Sequence, residues 1–181
     1  MVKRSLLFCF IFGVFGFSAV ASAPPGQDHF NINIDKSLDK YDLVGRLNSG
    51  YFVYLENIPM DSPANPENTI HGILNGVYRK VSDILDIHLD DVKINLWIVP
   101  DQQAIGELLR ENYGQYVEAP SFYWHERSAI YVSAKDLTLG ILAHEIAHVI
   151  VSHYFVVPPP GKVQDVLCGY AEYLVGGDDR R

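Results

Sequence analysis

The sequence predicts one α+β domain with a mixed or antiparallel sheet, a buried central helix and a further helix near its C-terminal end. Three features carry that expectation. Stretches with a two-residue period stand among longer ones with a period of three to four, and they do not follow a strict βαβ alternation. Setting aside an apolar leader leaves about 160 residues, room for one core and hardly two. The stretch from Leu137 to about Tyr154 is apolar on most sides, the mark of a helix enclosed by its own fold.

The chain begins with Lys3 and Arg4, an almost unbroken apolar run from Leu6 to Phe17, and then the small residues Ser18-Ala19-Val20-Ala21-Ser22-Ala23. That order is the order of a secretory signal peptide. A cut after Ala23 would leave Pro24 next to the scissile bond, so Ala19-Val20-Ala21 is the preferred cleavage site. The expected organisation is therefore a signal peptide over 1–21, a lead-in over 22–27, the folded domain over 28–175 and a frayed tail over 176–181. The leader is shorter than the ~20 apolar residues that span a bilayer. The expected product is exported, to a periplasm or outside the cell, with no stable membrane insertion after cleavage.

Charge and cysteine usage narrow the class further. There are 14 Lys and Arg against 22 Asp and Glu, and loss of Lys3 and Arg4 widens that gap. No basic stripe is present, which argues against nucleic acid as a partner. Of the two cysteines, Cys9 lies in the leader, so Cys168 has no internal disulfide partner and the core must supply stability alone.

Along the domain, His29 to Asp35 alternates as a half-buried strand, and Tyr51 to Glu56 is a second aromatic, β-branched run. Ile70, Ile73, Leu74, Val77, Val81, Ile84 and Leu85 recur at three and four residues, which predicts an amphipathic helix over about 67–87. Val92 to Val99 reads as a buried strand stopped by Pro100. Asp101 is a ready N-cap for a helix over about 102–112. Ser121 to Glu126 is aromatic and flanked by turn residues, and Ser128 to Ser133 is a short strand. The Leu137–Tyr154 helix ends before Pro158-Pro159-Pro160, and Lys162 to Leu174 forms the last helix.

The chemistry lies in His144-Glu145-Ile146-Ala147-His148. Histidines four apart on a helix share one face, about 5–6 Å apart at Cβ, and both rings can reach one ion at about 2.0–2.1 Å. Glu145 is turned one residue away from that face and is placed to act as general base on a metal-activated water. A chance match would leave two imidazoles and a carboxylate in an apolar helix without partners, an expensive burial that a metal relieves. Zinc with a third protein ligand and one open position is the expected set. Candidates for that ligand are Glu172 and Cys168 on the last helix. His153 is a weaker one, because five residues from His148 turn it off the ligand face.

The arrangement resembles the gluzincin branch of the zincin metallopeptidases, the thermolysin-like and aminopeptidase-like enzymes. The likeness runs over most of the domain: an opening strand, a long helix, the strand KINLWIVP, the strand SAIYVS, the helix ILAHEIAHVI and a Gly-aromatic-Ala-Glu-Tyr helix. The resemblance implies zinc-dependent hydrolysis of a peptide or protein substrate. Glu145 would be the base, with His144, His148 and a Glu from the downstream helix holding the ion. In many such enzymes that Glu directly precedes the Gly-aromatic-Ala stretch, and Cys168 stands there instead. Glu172, one turn on, is preferred as the carboxylate ligand. By the same analogy Ser128–Ser133 would be the edge strand beside the cleft, Tyr154, Tyr170 or Tyr173 would polarise the substrate carbonyl, and Asp165 would orient a ligand histidine. The alternative is an exported binding or scaffold module with a structural or vestigial metal site.

Overall fold

A computed structural model describes residues 28–48 and 65–177. The expected signal peptide, the lead-in, the strand over Tyr51–Glu56 and residues 178–181 of the tail lie outside the described residues. The described part contains β1 (Phe30–Ile34), α1 (Lys40–Asn48), α2 (Pro66–Leu85), β2 (Ile94–Val99), α3 (Gln102–Tyr113), β3 (Ser121–Trp124), β4 (Ala129–Ser133), α4 (Leu139–Tyr154) and α5 (Gly161–Gly176). A single 3-10 turn, His125–Arg127, joins β3 to β4.

The strands form one mixed sheet in the order β1-β2-β4-β3. β1, β2 and β4 run parallel, with Ile32 beside Leu96 and Leu96 beside Ile130, and β3 closes one side antiparallel to β4. The fold is α+β, as the mixed periodicities imply. Alternation along each strand sends Ile94, Leu96 and Ile98 of β2 and Ile130 and Val132 of β4 into the main core. There they meet Ile70, Ile73, Leu74 and Val77 of α2 and Leu142, Ile146 and Val149 of α4. On the opposite face Ile105 of α3 packs with Trp124, Ala129 and Tyr131 in a smaller cluster.

Local signals fix the helix ends. Asn65 caps α2, its side chain accepting from the backbone N–H of Glu67 and Asn68, with Pro66 in the first helical position. Asp101 caps α3 and Thr138 caps α4 in the same manner. α1 is an addition to what the sequence predicts. Leu43 and Leu47 are its buried anchors in the core, with Val44 half-buried beside them, too short a pattern to stand out beside Gly45 and its charged neighbours. α5 runs through Gly176, one residue into the expected tail. Among the described residues no helix is long and apolar enough to cross a membrane.

Candidate metal centre and active site

α4 and α5 form an antiparallel helical hairpin joined by residues 155–160, and theirs is the most extensive contact between any two elements. Near the start of α4 the helices almost touch. A Cβ on Gly140 would lie 3.3 Å from the Gly176 Cα and 3.4 Å from the Glu172 Cγ. This close crossing brings Glu172 to His144, whose Nδ1 lies 3.0 Å from Glu172 Oε2. On the other side α4 rests on β3.

The two rings of the motif lie close together on one face of α4. The ring centres of His144 and His148 are 5.0 Å apart. Two imidazoles bonded to a single ion at 2.0–2.1 Å with a tetrahedral angle between them have centres about 5 Å apart. Burial holds the His148 pKa below the usual histidine range, with the His144 charge acting the same way and Gln164 and Asp165 opposing. The neutral imidazole is the form that binds metal. Among the described residues no group of three or more His, Cys, Asp or Glu side chains has the spacing of a complete ligand set. Glu172 is hydrogen-bonded to His144 at Nδ1, where metal-bound histidines receive an orienting partner.

Glu145 is 5% exposed, and its Oε1 accepts a 2.6 Å hydrogen bond from Ser121 Oγ at the start of β3. Burial pushes its carboxyl pKa up. The Ser121 bond and His144 pull it down, and Glu172 adds to the rise. Tyr123, two residues along the same strand face, stacks on His148 with ring centres 6.4 Å apart and planes 19° apart. Its hydroxyl lies 3.1 Å from Ser152 Oγ and 3.3 Å from His125 Nδ1. Ser121 and Tyr123 belong to a stretch the sequence marked only as aromatic and turn-flanked. The two-residue period that turns both toward α4 was their one available signal.

The sheet order corrects one expectation. The strand Ser128–Ser133, observed as β4, lies between β2 and β3, so among the described residues β3 is the edge beside the motif. A three-residue turn at His125–Arg127 folds β3 back onto β4, and four strand residues were too few to announce it. His153 is held elsewhere, its Nδ1 donating to the Val149 carbonyl and its Nε2 lying 3.2 Å from Ser128 Oγ. Tyr154, Tyr170 and Tyr173 are exposed, the last two on the face of α5 away from buried Cys168 and Ala171. Asp165 acts on His148 as a nearby charge, and the Gln164 side chain beside that ring donates to the Pro159 carbonyl at 2.8 Å. Cys168 is fully buried, and burial, with Glu145 and Asp165, pushes its thiol up to about 12. It packs as a small apolar residue.

Comparison with protein-family models, with characterised proteins and with solved structures yields no match to this chain.

Proposed function

We propose that the protein is a zinc-dependent peptidase of exported type, with His144 and His148 holding the ion, Glu172 completing its site and Glu145 as general base. The observation that carries this reading is the paired imidazoles at the separation one ion requires, with a buried carboxylate beside them. When bound, zinc supplies a water with pKa near 7 and polarises a substrate carbonyl. The chain's own residues do the rest. Glu145 receives the proton of the attacking water at its carboxylate and delivers it to the leaving amine. Ser121 holds that carboxylate in one orientation. The outer edge of β3, which no described strand pairs, offers backbone N–H and C=O groups to which an extended peptide adds as an antiparallel strand.

The bond at Nδ1 favours a second role for Glu172, as the carboxylate that fixes the tautomer of His144 and raises its basicity without touching the ion. Metal analysis of the purified protein tests the main reading, with one zinc per chain expected. Cleavage of casein or a quenched peptide is expected to stop on chelation. A His144→Ala variant that keeps full metal content overturns the ligand assignment. Zinc without cleavage, together with a large thermal shift on chelation, assigns the site to a structural role in a binding module.

A further inference from the structure

We propose that Ser128 and His153 form a nucleophile–base pair that hydrolyses carboxylic esters of small acyl groups, at a site of its own that does not use the metal centre. The pair stands where the turn after β3 enters β4 and where α4 makes its last turn. His153 Nδ1 lies 2.9 Å from the Val149 carbonyl oxygen, and Ser128 Oγ lies 3.2 Å from His153 Nε2. A carbonyl oxygen only accepts, so the neutral ring carries its proton on Nδ1 and keeps a lone pair on Nε2. The Ser128 hydroxyl is then the donor of the second bond. A hydroxyl that gives its proton to an imidazole, itself held in one tautomer by a third group, is the arrangement of an activated serine.

The backbone of Ser128 points the same way. It closes the three-residue turn His125–Arg127 in the left-handed region, with φ 43° and ψ 46°. Glycine or asparagine takes that conformation with the least strain, so serine stands here against backbone preference. Strained residues of this kind collect at active sites, where the surrounding structure holds them. Here the Ser128 N–H donates to the His125 carbonyl at 3.1 Å, and the Ser128 carbonyl accepts from the Asn95 N–H at 2.9 Å. His153 is exposed and Ser128 half-buried, so an acyl group reaches the hydroxyl from solvent. The nearby His125 is engaged elsewhere, its Nδ1 lying 3.3 Å from the Tyr123 hydroxyl. In the first step Ser128 Oγ bonds to the acyl carbon while its proton passes to His153 Nε2. The bond from that carbon to the alcohol oxygen breaks, and the alcohol leaves with the proton. Water then attacks the acyl-serine, His153 takes a proton from it and returns it to Ser128 Oγ, and the carboxylic acid departs. An open surface adds little beyond the hydroxyl and the base, which selects small acyl groups on good leaving groups, aryl esters above all.

Hydrolysis of p-nitrophenyl acetate by the purified chain in excess chelator tests the proposal, since the chelator silences metal-dependent turnover. Nitrophenolate release is expected, with an acetyl group located on Ser128 by mass spectrometry after acid quenching. Ser128→Ala and His153→Gln should each lower the chelator-resistant rate about 100-fold. The double variant should lose no more than either single one, as residues that act as a unit do. Ser128→Gly relieves the backbone, so it should fold as the parent does and still be as inactive as Ser128→Ala. An acetyl group on another residue overturns the proposal, as does an unchanged rate in either single variant or a loss on His125→Gln in place of His153→Gln. Hydrolysis that stops on chelation overturns it too, and assigns ester cleavage to the metal centre.

Discussion

At the residue scale, Glu145 and its partner Ser121 are the most informative pair. Burial at 5% exposure raises the Glu145 pKa, and the Ser121 hydroxyl and the neighbouring imidazole oppose that rise. Glu145→Gln preserves size and should leave zinc content unchanged while removing turnover, by about 10²–10⁴-fold as for loss of a general base. Ser121→Ala should retain zinc and lower turnover about ten-fold, the effect of losing one hydrogen bond to a charged group; unchanged turnover would remove Ser121 from the site. Glu172→Gln separates its two roles. Expected is a 10–100-fold loss of zinc affinity by competition with a chromogenic chelator, the size found for orienting partners. A much larger loss makes Glu172 a direct ligand.

At the scale of elements, the hairpin of α4 and α5 decides whether the site exists. Gly140 and Gly176 let the backbones approach closely enough for Glu172 to reach His144. Gly140→Val inserts branched carbons against the backbone of α5 and the Glu172 side chain. It should cost about 1–3 kcal/mol of stability in urea unfolding and lower zinc affinity, since the helix ends must part. A variant with unaltered stability would show that the crossing yields freely. β3 is the second deciding element. Its alternation gives Ser121 and Tyr123 to α4 and gives Phe122 and Trp124 to the cluster under α3, so one strand of four residues serves both faces of the sheet.

At the scale of the molecule, stability of the described core rests on packing, since Cys168 there is a free thiol buried in the main hydrophobic cluster. Its reactivity therefore reports opening of the whole domain. A thiol reagent such as DTNB at pH 8 should leave Cys168 unmodified in the folded protein and modify it once guanidinium unfolds the domain. Rapid modification under native conditions would show that α5 detaches locally. The chelated protein should melt at a lower temperature than the zinc-loaded one if the ion binds only the folded state.

Much of this was legible in the chain. The caps at Asn65, Asp101 and Thr138, the apolar periodicity of α2 and the enclosure of α4 are local properties, each decided within a turn or two of backbone. The spacing of His144 and His148 is of the same kind, because a helix fixes the geometry of residues four apart whatever surrounds it. α1 escaped because two buried leucines are too weak a pattern. Ser121, Tyr123 and Gln164 escaped because their distances in sequence from the motif carry no information about their distances in space. Which strand forms the edge, which nitrogen of His144 meets Glu172 and which face of α5 is left to solvent all depend on how separate elements cross. Those crossings are set by close packing between surfaces, such as the contact of Gly140 with Gly176, which local periodicity does not encode.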